Sequence, residues 1–417
     1  MGLLQRPLGV HQAGQLRRSR SERSLESSVV ISLHLARTLG QPVGSEHLFG
    51  CGRQGAMWGR SPGRMPSSGA HVMVAQTSFL GDVILTIPLL SALRRLLQPR
   101  QLTVVIRPEA APLLAHHPSV DSVVLDDKRG GDRGLRGLLR TARRLRAERA
   151  DIAVAPHRSI RTALALALAG VPHRVGFAES PGSQLYHVRV PRDRSRHDVE
   201  RNLGLLSAFG GRVEDHLEAP RLVAGAAATR GAAKLLADVG VGDSRALYGI
   251  CPGSVWATKR WDTEGYGTVV RALREQDDAQ VLLLGGADDI GVSEAVQRHA
   301  GGSAVNLVGR TDLGTFVAIV QRLDALVSND SAPMHVATAL GVPVVAVFCA
   351  TTPAQGYGPY GTRAALVEAD LECRPCGRHG GRRCPRGTED CMRLVGAADV
   401  LKALRSLRTS PRASALP

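Results

Sequence analysis

From His71 onward, short apolar runs alternate with longer stretches in which apolar residues recur every three or four positions. The run HisValMetValAlaGlnThr at 71–77 reads as a buried strand, and Leu80-Gly81 as a turn into a helix covering about 82–97. Further strands are expected at 102–107, 122–125, 151–155 and 173–177, with helices at 135–148 and 159–169 between them. Across 212–245 the chain becomes Ala/Gly-rich and charged around Pro220, which marks a junction. A second series follows, with strands at 246–251, 280–284, 325–328, 344–348 and 364–367 and helices at 263–275, 290–299, 313–321 and 332–340. Strands alternating with helices of this size predict an α/β fold of two Rossmann-like, doubly wound parallel sheets facing across a cleft. The expected division is a basic, disordered N-terminal extension over 1–70, a first domain over 71–225 and a second over 226–410.

Length agrees with that division, since 417 residues suffice for two domains of roughly 100–200 residues each. Aromatic residues make up only 3% of the chain, so the cores must be built from Leu, Val, Ala and Ile. The same scarcity argues against single-stranded nucleic acid as a partner, because bases need stacking platforms. A net charge of +16 favours phosphate-bearing partners. The first 70 residues contribute about +6 of it, from nine arginines against three glutamates, and show no sustained hydrophobic period. They read as a disordered tail, or as a stretch upstream of a true start at Met65 or Met73. No apolar run approaches the roughly 18 residues of a membrane-spanning helix, and the N-terminus lacks the apolar core of a signal peptide. A cytoplasmic location is therefore expected, with the seven cysteines held largely as thiols.

Three segments combine a strand end with polar groups. Gln76–Val83 carries Ser78, Gly81 and Asp82; Gly81 allows close backbone approach, and Asp82 either caps the following helix or faces the cleft as a catalytic carboxylate. Cys251–Trp261 offers Ser254 in a Pro-Gly-Ser turn suited to phosphate oxygens, with Lys259 and Arg260 close by to neutralise a diphosphate, or else as plain surface charge. Ser328–Phe348 is the richest: Asp330 and Ser331 precede a helix opening at Ala332-Pro333, and His335 lies one turn in. A helix N-terminus presents free N–H groups and a positive dipole end to an anion. Asp288, in Gly285–Asp289 after another strand, is a candidate ribose contact or a simple turn residue.

Cys373, Cys376, Cys384 and Cys391 follow a C-x2-C-x7-C-x6-C spacing. The first pair has zinc-knuckle spacing and the second half lacks it, so a zinc site and a set of packing thiols both remain open. Arg133, Arg136, Arg140, Arg143, Arg144, Arg146 and Arg149 recur at helical spacing, as a solvated face or as a surface that docks on phosphorylated lipid.

Taken together, Gln76–Val83, Pro252–Trp261, Ser328–Leu340 and GluCysArgProCys…CysPro…Cys from Glu372 resemble glycosyltransferase family 9, and within it the ADP-heptose:lipopolysaccharide heptosyltransferases, particularly the heptosyltransferase II type. The resemblance spans about 71–391. It implies a GT-B architecture and inverting transfer of heptose from ADP-heptose to the lipopolysaccharide inner core, with no cofactor and no catalytic metal. It also implies an anionic glycolipid acceptor and peripheral contact with the cytoplasmic face of the inner membrane. On this likeness Asp82 is the general base and Lys259 stabilises the departing diphosphate. Ser254, Lys259, Asp288, Asp330, Ser331, Ala332 and His335 fall at donor-binding positions, and Ser78 and Gly81 on the acceptor side. Ala332 stands where the family commonly has Gly, and the long basic N-terminus is outside the pattern. Two other readings stay open: a relative using another nucleotide sugar and acceptor, and a non-catalytic module binding anionic polymers.

Overall fold

The computed structural model describes residues 29–34, 69–361 and 363–409. Strands β1 (Val29–His34), β2 (His71–Ala75), β3 (Gln101–Ile106), β4 (Ser122–Leu125), β5 (Ile152–Ala155), β6 (His173–Phe177) and β7 (Val188–Val190) come first along the chain. With them run helices α1 (Leu80–Leu97), α2 (Ala111–Leu114), α3 (Gly134–Ala147), α4 (Ile160–Leu168), α5 (Asp198–Leu203) and α6 (Ala226–Asp238). The second series comprises β8 (Leu247–Cys251), β9 (Gln280–Leu283), β10 (Val305–Asn306), β11 (Ala325–Asn329), β12 (Val344–Phe348) and β13 (Ala364–Ala369). Its helices are α7 (Thr263–Glu275), α8 (Ile290–His299), α9 (Leu313–Gln321), α10 (Ala332–Ala339), α11 (Asp390–Arg393) and α12 (Ala397–Thr409).

β2 to β7 form one parallel sheet in the order β4-β3-β2-β5-β6-β7. β8 to β13 form a second in the order β13-β12-β11-β8-β9-β10, again parallel. Both are doubly wound, as expected from strands that are apolar on both faces: β2, β5, β8, β9 and β12 are buried at every position. Each sheet reverses its winding once, between β2 and β5 in the first and between β8 and β11 in the second. At such a reversal the connections leave in opposite directions and open a crevice beyond the strand carboxyl ends. The two crevices define where a ligand can sit.

The structure adds elements that the pattern did not announce. Val29–His34 lies inside the stretch read as a disordered extension, yet pairs antiparallel with β13 at the edge of the second sheet. Its run of Val, Val, Ile and Leu is β-prone, and averaging over 70 Arg/Ser-rich positions conceals it. The rest of 1–68 lies outside the described residues. The Ala/Gly-rich stretch read as a junction holds the 13-residue helix α6, because alanine is the strongest helix former. Past β7, α5 packs on α1, and the chain then crosses to the second sheet, where Leu222 N donates to Ala339 O at 2.9 Å and α6 packs on α9.

Candidate active site

At the first winding reversal, the hydroxyl of Thr77, just after β2, lies 3.2 Å from His157 Nδ1, just after β5. Lys128, after β4, donates to the same hydroxyl at 3.1 Å. Arg107, after β3, is 4% exposed, donates through Nε to Ser78 O at 2.8 Å and pairs with Glu109 at 2.6 Å. Burial first, then the neighbouring arginines, lowers Lys128 to about 8; burial, Lys128 and Arg107 lower His157 to about 3. Arg158 and Arg192, after β5 and β7, continue the row. Cations thus stand at the carboxyl ends of four strands, and their mutual repulsion makes a receptor for an anion. None of Arg107, Lys128, His157 and Arg192 was singled out from the sequence. The signal was available by reading one to three positions past each parallel strand.

Asp82 sits beside this row, in the first turn of α1. Ser78 Oγ donates to its Oδ2 at 2.5 Å and Phe79 N at 3.2 Å. The carboxylate therefore serves as the local cap, and Oδ1 takes no donor among the described residues. Burial above all, reinforced by the Asp198 charge, raises Asp82 to about 6 against the opposing Ser78 and Phe79 bonds. Asp198 itself pairs with Arg192, and its backbone N donates to Gly356 O at 2.8 Å, so this segment bridges from α5 to the second lobe. His197 and Tyr360 rings, with centroids 4.7 Å apart, add to the same bridge.

At the second reversal, Asn329 ends β11 fully buried with every side-chain group engaged. Its Oδ1 accepts from Trp261 N and Tyr266 Oη, both at 2.9 Å, while Nδ2 donates to Pro252 O at 2.8 Å. This fixes the Pro252–Ser254 turn against the start of α10. Lys259 Nζ lies 2.6 Å from Asp330 Oδ2, which also accepts from Thr351 Oγ1 at 2.6 Å. Ser331 occupies the N-cap of α10 but turns its hydroxyl toward Ser328, so no side chain caps the helix. Its dipole end is left for a ligand.

Between the sheets lies a cleft of about 550 Å³. Ser254, Asp288, Ser331 and Ala332 line it, together with Arg260, Asp289 and Pro333 from the second lobe and Leu80 and Glu109 from the first. Asp82, Lys259, Asp330 and His335 are not in that lining. His335 instead closes the interlobe contact: a β-carbon at Gly81 would stand 2.8 Å from its Cδ2. That imidazole is 5% exposed, its pKa lowered by burial to about 4, and its Nδ1 has no hydrogen-bond partner among the described residues. Ser78 and Gly81 thus flank Asp82 on one side of the contact, and His335, Asp330 and Lys259 lie on the other.

Asp288, the expected ribose contact, is exposed on the rim, whereas Asp289 lies across the cleft floor. A β-carbon at Gly253 would meet Asp289 Oδ1 at 2.0 Å, so glycine there makes room for the carboxylate. Burial is the main cause that raises the Asp289 pKa. The two glycines beneath it, Gly253 and Gly285, were the sequence clue.

Of the four C-terminal thiols, Cys391 is raised to about 11 by burial, then by Cys376, Cys384 and Cys373, against the opposing Arg374 charge. Among the described residues, however, no three His, Cys, Asp or Glu side chains converge closely enough to hold a metal, so this geometry lends the zinc reading no support. No helix among the described residues is long and apolar enough to cross a membrane.

Two Rossmann-type lobes with a carboxylate at their contact and an uncapped helix in the cleft make up a GT-B architecture. The model of glycosyltransferase family 9 (heptosyltransferase) matches residues 138–383, and the chain belongs to that family. It is 28% identical to lipopolysaccharide heptosyltransferase 2 of Salmonella typhimurium over 68% of this chain and 83% of that protein. Among solved structures, a family 9 glycosyltransferase from Veillonella parvula superposes with TM-score 0.73 at 25% identity, covering 82% of this chain and 97% of that one. The Escherichia coli ADP-heptose lipopolysaccharide heptosyltransferase II shares the fold at TM-score 0.67 and 24% identity, covering 81% and 98%.

Proposed function

We propose that this glycosyltransferase moves heptose, with inversion, from ADP-heptose to the anionic inner core of lipopolysaccharide. The similarity to heptosyltransferase 2 supports the choice of donor and acceptor. The observation that carries the chemistry is the Asp82 carboxylate, raised to about 6 at the point where the lobes touch. A base with that affinity is ionised at neutral pH yet still draws a proton effectively.

In this reading the first lobe, 71–225, holds the acceptor, and the second, 226–410, holds the donor. Ser254, Asp289 and the exposed Asp288 face the ribose and phosphates, and Ser331 and Ala332 set the α10 N-terminus against the diphosphate. Asp82 takes the proton from the acceptor hydroxyl as its oxygen attacks the anomeric carbon, and the bond from that carbon to the diphosphate breaks. Lys259 then stabilises negative charge on departing ADP, a stabilisation that grows toward the transition state. Asp330 holds the lysine in place, and His335, neutral at working pH, is a donor or acceptor for the sugar. Ser78 orients Asp82; Arg107 and Lys128 hold the acceptor's acidic groups.

The reading extends to a peripheral site on the inner membrane's cytoplasmic face. Arg140 and Arg144 of α3 are tied to Asp132, but Arg136 and Arg143 are exposed beside Leu135 and Leu139, 71% and 41% exposed. Exposed leucines among free arginines suit an anionic lipid surface.

The test is a panel of nucleotide sugars offered with a Kdo–lipid A acceptor, read by mass spectrometry. A mass gain of one heptose with ADP-heptose is expected. Transfer from a different donor with none from ADP-heptose would overturn the assignment.

A further inference from the structure

The cleft between the sheets is walled mainly by the second lobe, and the first lobe contributes Leu80 and Glu109. Leu80 opens α1, two residues before Asp82. Glu109 follows β3, in the turn that leads into α2. It is the polar group on that face of the cleft, and the transfer chemistry above gives it no part.

Glu109 is held in an unusual way for an open carboxylate. Its Oε1 lies 2.6 Å from Arg107 Nη1, with the two side chains 49% and 5% exposed. Arg107 Nε donates to Ser78 O at 2.8 Å, and Ser78 Oγ donates in turn to Asp82. A buried guanidinium thus pins one oxygen and joins it to the turn that carries the base. Oε2 has no partner among the described residues. An acidic group in a cleft for diphosphate would ordinarily repel it, but the Arg107 charge at this distance offsets most of that repulsion.

The second lobe supplies what a nucleotide needs. The uncapped start of α10 and Ser254 suit phosphates, Asp288 and Asp289 suit a ribose, and Leu313 and Phe316 offer an apolar wall for a base. A sugar beyond the diphosphate must turn toward the first lobe, because the acceptor attacks its anomeric carbon from the Asp82 side. Each of its hydroxyls is a donor that gives up water on entering the cleft and needs an acceptor there. Leu80 offers none; Glu109 Oε2 does.

We propose that Glu109, although it belongs to the acceptor lobe, determines donor specificity by accepting a hydrogen bond from a hydroxyl of the transferred sugar. The contact spans the cleft. Through Arg107 and the Ser78 backbone, a sugar that makes it also holds the Asp82 turn in register with the anomeric carbon. A sugar without that hydroxyl leaves a carboxylate oxygen unpaired in the closed site, which is how a polar contact rejects a near relative.

The assignment rests on the donor-site reading above, and the experiment separates the two. Calorimetry measures ADP and ADP-heptose binding to the unmodified protein, Glu109→Ala and Glu109→Gln, without acceptor, and thermal unfolding is followed on the same preparations. ADP carries the base, ribose and phosphates but no transferred sugar, so the pair of ligands isolates the contact. In Glu109→Ala the ADP-heptose dissociation constant is expected to rise roughly tenfold or more, and that of ADP to stay within about twofold. Glu109→Gln, which is isosteric and keeps an acceptor oxygen, should fall between. Equal weakening of both ligands would overturn the sugar contact, since the lost bond would then belong to the nucleotide. Tighter ADP binding, or unchanged affinity for both ligands with only the acceptor KM altered, would also overturn it and leave Glu109 as a partner of Arg107 alone. Failure of the unmodified protein to bind either ligand would overturn the donor-site reading and this contact with it, whereas normal binding by the unmodified protein and by both variants would overturn the contact alone.

Discussion

Lys259 and Asp330 form a near-buried ion pair, with Nζ and Oδ2 2.6 Å apart and side chains 14% and 7% exposed. The lysine is thereby held at the carboxyl end of β11, beside the uncapped start of α10, before any diphosphate arrives. Losing it removes a transition-state contact and strands a buried carboxylate. Lys259→Met is expected to lower kcat by roughly 10²–10³-fold and stability by about 3 kcal/mol. Adding Asp330→Asn should restore most of the stability and none of the rate. Steady-state kinetics and thermal unfolding of the two variants check this, and recovery of rate in the double variant would contradict it.

The pH profile should be a bell. Asp82 must be ionised to accept a proton, and its pKa is raised to about 6, so kcat/KM rises with pH through that value. Lys128 must be charged to hold an acidic acceptor, and it is lowered to about 8, so kcat/KM falls as pH climbs past that value. Lys128→Ala should raise the acceptor KM and abolish the alkaline limb while leaving the acid limb in place. Initial rates across pH at low acceptor concentration supply the measurement.

Asn329 joins three segments through one amide. Replacing it with Leu leaves the buried Trp261 N–H and the Pro252 carbonyl without partners, at a cost of about 1–3 kcal/mol each. Asn329→Leu is therefore expected to lose about 3 kcal/mol or more in denaturant unfolding. Because the Pro252–Ser254 turn is released with it, donor KM should rise more than acceptor KM. Equal effects on both would mean that the amide only supports the core.

If α3 rests on lipid, binding to vesicles containing phosphatidylglycerol should exceed binding to neutral vesicles and weaken with salt. Arg136→Glu with Arg143→Glu should reduce it roughly tenfold or more without changing transfer to a detergent-solubilised acceptor. Cosedimentation reads this directly, and unchanged binding would remove α3 from the membrane face.

Much of the fold was legible because its strands are buried on both sides. Runs such as ValValAlaValPhe at 344–348 need no periodicity to be recognised. Among the elements that escaped, β7, β10 and α5 are two to six residues long and owe their form to pairing or packing. The catalytic candidates were visible as polar residues just past strand ends, and the same rule would have exposed Arg107, Lys128 and His157. They follow β3, β4 and β5, whose ends look like ordinary loops until the winding order brings them together. Asp288 and Asp289 both line the cleft and are indistinguishable in a sequence; only in three dimensions does the Asp289 carboxylate, packed over Gly253, stand apart.

The most direct test is single-turnover transfer by Asp82→Asn, with ADP affinity measured on the same preparation by calorimetry. Heptose transfer from ADP-heptose is expected to fall by roughly 10³-fold or more, while the ADP dissociation constant stays within about twofold, because Asp82 belongs to the opposite lobe. A variant that transfers heptose at close to the unmodified rate would contradict the assignment of Asp82 as the base.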